Sequence, residues 1–264
     1  MNISIYSLIF QSPAYAEWLY KHLHENTEEL QNETATFTFI ANNATNEVLE
    51  FLEKKKYPYI TCHTPDITEE ELNFMGHAGP VYLHSVYRGY NKAIQHAETE
   101  VVCTVDSDMY HAPGWLTNLI KNVSPKVVVT GTVVEPRRAG NIFRNPSTGI
   151  QVLEYNFGFG LKDFDAEGFK RYALNISAAS TQNLISYHPI LFYKDIVLEV
   201  GGYPEGNVIY GQYPGAQFLR IHKGQKVEYA DVYFTRQLRI AGVSCIQAND
   251  SIVYHFDCGE RLDK

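Results

Sequence analysis

Residues 101–105 read Val-Val-Cys-Thr-Val, and two carboxylates, Asp106 and Asp108, follow directly. A five-residue apolar run rich in β-branched side chains suits a strand buried in an α/β sheet, where ligands gather at the carboxyl ends of strands. The flanks narrow the fold further. Upstream, Val86, Tyr90, Ala93, Ile94 and Ala97 recur at i, i+4, i+7, i+8 and i+11, which is one face of a helix. Downstream, Pro113 suits the first position of a second helix carrying Trp115, Leu116, Leu119 and Ile120. The local order is therefore helix, strand, acidic turn, helix.

The same alternation runs through the first half of the chain. Ile3 to Phe10 reads as a first strand; Ser12 caps the next helix, which has Pro13 at its first position and Tyr15, Trp18, Leu19 and Leu23 inward. Thr36 to Ala41 and Tyr59 to Cys62 read as further strands, Thr68 with Glu71 as a capping box, and Lys126 to Val134 as the next strand. Such βαβα order predicts an α/β fold with a mostly parallel sheet flanked by helices. The 264 residues, 45% hydrophobic, suit one domain, with residues 1–125 and 126–264 as its two halves.

Net charge is −8, from 22 basic and 30 acidic residues, which argues mildly against a primary role in binding nucleic acid or anionic membranes. Cys62, Cys103, Cys245 and Cys258 show no C-x-x-C spacing, and reduced thiols are expected. The first ten residues carry no basic leader, and no apolar run approaches the roughly eighteen residues of a membrane span. A cytoplasmic location is the expectation.

Two acids at a strand end suit a hard divalent cation, magnesium or manganese, which takes one or two carboxylates and fills its remaining positions with water and substrate phosphates. An isolated D-x-D also suits a solvated turn; the elements on either side favour the cation.

The string GYNKAIQHAETEVVCTVDSDMYHAPGWL resembles the core of inverting nucleotide-sugar glycosyltransferases of family two, which have the GT-A fold. GGYPEG, residues 201–206, is similar to the loop ahead of that family's acceptor site. Residues 230–242, ADVYFTRQLRIAG, resemble its Glu-Asp helix, and SIVYH, residues 251–255, its closing strand. The resemblance implies a single Rossmann-like GT-A domain whose first half holds the nucleotide sugar, a UDP-sugar by default, and whose second half receives a carbohydrate or other hydroxyl acceptor. It implies Asp108 as direct metal ligand, Asp106 on the ribose or on the metal through water, and His255 as the third ligand. Asp231 falls on the catalytic base, which implies inversion at the anomeric carbon. Asn42 and Asn43 stand where the family keeps an Asp that reads the base; they read equally as a helix cap. Arg88 and Asn91, on the helix before the D-x-D, fall with the donor-binding set.

The chain departs from the pattern at Ala230, where the family has Glu; that contact passes to Glu228 or Glu205, or acceptor geometry changes. Capping and the helix dipole would hold the pKa of Asp231 low. His188, before Pro189, reads as structural. Arg137, Arg138 and Arg144 suit phosphate contacts or a solvated loop, and Tyr155, Phe157, Phe159 and Phe164 suit sugar stacking or a packed lid. Three other classes share parts of this pattern. A dehalogenase-like phosphatase also places D-x-D after a strand, but at the start of its chain. A nucleotide-sugar-binding module without activity would fit Ala230. A DNA-modifying glycosyltransferase would use the arginines on a polynucleotide acceptor.

Overall fold

The computed structural model describes residues 1–136, 153–183 and 187–256. Arg137, Arg138, Arg144 and Cys258 lie outside them. In chain order the elements are β1 (Ile3–Ile9), α1 (Pro13–Asn26), α2 (Glu28–Gln31), β2 (Ala35–Asn42), α3 (Asn46–Lys55), β3 (Tyr59–Cys62), α4 (Glu69–Phe74), β4 (His77–Ala78) and α5 (Tyr82–His96). Then follow β5 (Val101–Val105), β6 (Met109–His111), α6 (Trp115–Ile120), β7 (Val127–Glu135), β8 (Leu153–Glu154), α7 (Ala166–Ile176) and β9 (Thr181–Asn183). The last are β10 (Ile190–Tyr193), α8 (Lys194–Glu199), β11 (Asn207–Ile209), β12 (Arg220–His222), β13 (Gln225–Glu228), α9 (Ala230–Ile240) and β14 (Ser244–His255).

The main sheet runs β3-β2-β1-β5-β10-β7-β14-β6. Its first four strands are parallel, and β14 runs parallel to β7. Three antiparallel members were not foreseen: β10 is inserted between β5 and β7, β6 pairs with the far end of β14, and β9 pairs with its earlier part. A second sheet, β12-β13-β11-β4, was also absent from the sequence reading, because its strands are only two to four residues long and carry no periodicity. Strand β14 is irregular. It takes five steps from Gln247 to Ile252 while β7 takes two from Thr130 to Thr132, and the parallel register then resumes.

Burial follows the period of two expected for strands. Ile3, Ile5 and Ile9 of β1, with Val101, Cys103 and Val105 of β5, pack on one face under α1, α3, α6 and α7. Tyr6 and Val102 point the other way, into a core built with α5, α8 and α9. Every residue of β5 is buried, so this strand is covered on both faces as its composition required.

Local signals decide the helix ends. The Ser12 side chain accepts from the Tyr15 amide, and Thr68 and Glu71 close a reciprocal capping box. The α6 boundary moved: the helix begins at Trp115, because Gly114 takes φ 80° and interrupts the backbone after Pro113. Helix α3 is capped by Thr45, whose side chain accepts from the Val48 amide, so Asn42 and Asn43 are not its cap. In α9 the buried face is Ala230, Phe234, Thr235 and Leu238.

Candidate active site

The carboxyl ends of β1, β2 and β5 open on a cleft of about 1010 Å³, near the upper end of the usual ligand-pocket range. Asp106, Asp108 and His255 line it, with Asn42, Asn43 and Tyr90. The sheet brings these together. Asp106 directly follows β5, Asp108 precedes β6, and the antiparallel pairing of β6 with β14 sets His255 opposite Met109. His255 Nε2 consequently lies 3.3 Å from Asp108 Oδ1. Its Nδ1 is held by Glu135 Oε1 at 2.7 Å, at the end of β7.

Glu135 was not foreseen as part of the site. The signal was present: it ends an apolar strand, KVVVTGTVVE, as Asp106 follows VVCTV. A carboxylate on one ring nitrogen fixes the tautomer and leaves the other as a ligand, the arrangement typical of metal-binding histidines. Among the described residues, no three His, Cys, Asp or Glu side chains already surround one point. Asp108 and His255 offer one oxygen and one nitrogen donor, which suits a cation completing its shell with water and phosphate oxygens.

Asp106 is held differently. His188 Nδ1–H donates to its Oδ1 at 2.9 Å and the Tyr90 hydroxyl donates to the same oxygen at 2.6 Å. Burial by itself would raise the Asp106 pKa; the charge and hydrogen bond of His188, with His255 and Tyr90, outweigh it and hold the carboxyl well below the usual carboxylate range. His188 is therefore in direct contact with the acidic motif. The register explains the contact: Ile190 of β10 pairs with Thr104 of β5, which carries His188 to the end of β5 where Asp106 sits.

Asp231 occupies the second position of α9. Its Oδ1 accepts from the Val232 amide, yet dense packing desolvates the carboxyl and raises its pKa above the ordinary aspartate value. Desolvation wins here over the depression expected from capping and the helix dipole. The helix start is placed by the small sheet, where Asn207 Oδ1 of β11 accepts from the Ala230 amide at 3.2 Å.

Of the two acids considered as substitutes for the missing Glu at position 230, Glu228 is committed elsewhere. It is fully buried, paired with Arg236 through Nε at 2.9 Å and Nη2 at 2.6 Å, and accepts from the Gln217 amide. Glu205 is partly exposed, with His84 Nδ1 and Arg88 Nη1 at 3.4 and 3.5 Å from its Oε2.

The remaining donor-side candidates divide. Asn42 donates to the Ser85 carbonyl and hydroxyl, both at 2.8 Å, on the cleft wall. Asn43 has φ 48° and exchanges two 2.8 Å bonds with the Thr64 backbone, so its amide is spent on the loop. Asn91 is likewise spent: its amide donates to the Tyr203 carbonyl and accepts from the Tyr203 amide, both at 2.9 Å, pinning the GGYPEG loop. Arg88 points to Glu205. Of the four aromatics, Phe157 and Phe164 belong to the core around Phe169 and Tyr254, whereas Tyr155 and Phe159 are exposed.

A helix-flanked, mostly parallel sheet with paired carboxylates at the end of an inner strand, and a helix-borne acid placed by a second small sheet, gives the chain the GT-A fold. Residues 83–181, from α5 through the D-x-D to β9, match the family model of glycosyl transferase family 2. No curated protein matches the sequence. Among solved structures, GalNAc-T7 with UDP, GalNAc and Mn2+ is similar at TM-score 0.56 and 12% identity, over 97% of this chain and 44% of that one. The mannosyltransferase PcManGT from Pyrobaculum calidifontis, in complex with GDP-Man and Mn2+, gives 0.53 and 12%, over 96% and 56%. Residues 1–349 of S. aureus TarS give 0.51 and 14%, over 97% and 60%. The chain thus spans between 44% and 60% of the length of these structures.

Proposed function

We propose that the chain moves a sugar from a nucleotide-sugar donor to an acceptor hydroxyl by a single inverting displacement. The observation that carries this reading is the approach of His255 to Asp108 across the β6–β14 pair, at the mouth of a cleft that also receives Asp106. Sugar transfer faces two barriers: negative charge growing on the departing nucleoside diphosphate, and a weakly nucleophilic acceptor hydroxyl. Asp108 and His255 would hold a divalent cation, manganese better than magnesium because one donor is nitrogen. Such an ion supplies Lewis-acid stabilisation of the leaving diphosphate. Asp106 keeps its negative charge and presents it to the ribose or to an ion-bound water. Asp231, with its pKa raised, is the general base that takes the proton of the acceptor hydroxyl, a role worth about 10²–10⁴ in rate.

On this reading residues 1–125 form the donor half and residues 126–264 the acceptor half, and the donor is a UDP-sugar, as the UDP bound to GalNAc-T7 suggests. The GDP-Man held by PcManGT marks the alternative base. The acceptor is a carbohydrate or a related hydroxyl compound. Among the described residues Cys62, Cys103 and Cys245 are free thiols. No helix among the described residues is long and apolar enough to cross a membrane.

The test is a donor screen: nucleotide sugars are offered with manganese or magnesium, and released nucleoside diphosphate is measured. Metal-dependent release from one donor class, abolished by Asp108→Asn, is the expected result. Release of inorganic phosphate from simple phosphate monoesters would point instead to a phosphatase.

A further inference from the structure

Among the described residues, His188 is a polar side chain that reaches the acidic motif from the acceptor-side half of the sheet and is neither a candidate ligand nor a base. Its Nδ1 is bonded to Asp106 Oδ1. Its ring packs against Tyr90 at 4.3 Å between centroids and lies 6.4 Å from Tyr203. Tyr203 in turn stacks on Phe234 of α9 at 4.1 Å, three residues beyond Asp231, and its backbone is pinned by Asn91. A continuous packed path therefore joins Asp106 to the helix that carries Asp231. The Asp231 carboxyl also lies within electrostatic reach of the His188 ring.

The bonding at Asp106 has a directional consequence. Two donors converge on Oδ1, so the carboxylate cannot rotate without breaking both bonds, and neither bond engages Oδ2. A carboxylate locked in this way contributes to binding without paying the entropy of ordering when the donor arrives.

We propose that His188 is a positioning residue for glycosyl transfer: through Nδ1 it fixes the orientation of Asp106, and through its packing on Tyr90 and Tyr203 it ties that donor-side carboxylate to the helix bearing Asp231. The proposal rests on the donor reading of the cleft given above. It makes this histidine part of donor recognition although it does not line the cleft.

The experiment uses the full chain with His188→Asn, His188→Gln and His188→Ala. The asparagine amide can stand where Nδ1 stands and keep the bond to Asp106; glutamine places its amide near Nε2 and cannot. Affinity for UDP and for GDP in the presence of manganese is measured by calorimetry, together with kcat and KM for the donor. His188→Ala and His188→Gln should weaken the nucleotide and raise the donor KM by roughly ten- to a hundredfold, the effect of losing a hydrogen bond to a charged group. His188→Asn should recover most of that loss. Asparagine and glutamine conserve polarity, so this pair carries the comparison even where His188→Ala does not fold. The proposal is overturned if His188→Gln binds nucleotide and substrate as wild type does, or if His188→Asn is as impaired as His188→Gln. A wild-type protein that binds neither nucleotide would instead sink the donor reading itself, a result visible before any variant is made.

Discussion

Glu135 holds the Nδ1 of His255 at 2.7 Å while the opposite nitrogen of the same ring faces Asp108 at 3.3 Å. Removing that grip leaves the imidazole free to turn and to change tautomer, and such outer partners typically contribute 10–100-fold to metal affinity. Glu135→Ala is expected to weaken manganese binding by about that factor in a titration followed by electron paramagnetic resonance. Glu135→Gln retains an acceptor and should lose less. Equal affinity in all three proteins would separate His255 from the cation.

Asp231 carries a second expectation, in pH. A base with a raised pKa works only once deprotonated, so the acid limb of kcat should lie above the ordinary aspartate value of about 4. Asp231→Asn should bind donor and lose transfer.

Stability should report the same shift independently of turnover. A carboxyl whose pKa is higher folded than unfolded binds more protons in the folded state between the two values. Stability therefore falls as pH rises through that window, and the cost persists above it. Asp231→Asn should accordingly melt at a higher temperature than wild type at pH 7, and the gap should close as the pH drops below the unfolded value. A gap independent of pH would contradict desolvation as the cause.

The buried ion pair Glu228–Arg236 is a structural debt of the small sheet. Arg236→Ala leaves a fully buried carboxylate with only the Gln217 amide for company, and breaking such a pair costs about 3–5 kcal/mol. Urea unfolding should show a loss of this size, and adding Glu228→Gln should return part of it.

Gly201 and Gly202 distinguish backbone strain from crowding. Both have positive φ, 87° and 77°, so alanine at either should cost about 1–2 kcal/mol. A Cβ on Gly201 meets open space, whereas one on Gly202 would lie 2.6 Å from Asn91 Oδ1, which is already fixed by Tyr203. Gly202→Ala should therefore lose a further ~1–3 kcal/mol by overpacking, read as a lower urea midpoint than that of Gly201→Ala.

The elements that carry their own periodicity were legible in the sequence. Strand β5 with its two following acids, helix α5 and the Ser12 and Thr68 caps stand where their local patterns put them, and the strand ending in His255 stands where the resemblance put it. Partnerships across long stretches of chain were not. His188 meets Asp106 over 82 positions and Glu135 meets His255 over 120, and both contacts exist only because β10 runs antiparallel beside β5 and β14 runs parallel to β7. No window of a single chain encodes such neighbours; they follow from strand order. The pKa of Asp231 failed for a related reason. Its sequence neighbours argued for a cap, while the desolvation that governs it comes from packing by distant elements.

The surplus residues of β14 between Gln247 and Ile252 bear on all of this. Side chains alternate along a strand, so the number of residues spent in that irregularity sets the phase of everything after it. Deleting one of them would slide the final segment a single step against its neighbours and point the imidazole of residue 255 to the other side of the sheet. Catalytic geometry would vanish together with the core packing of Ile252, Tyr254 and Phe256, so the length of this short kink is held by the architecture and by the chemistry at once.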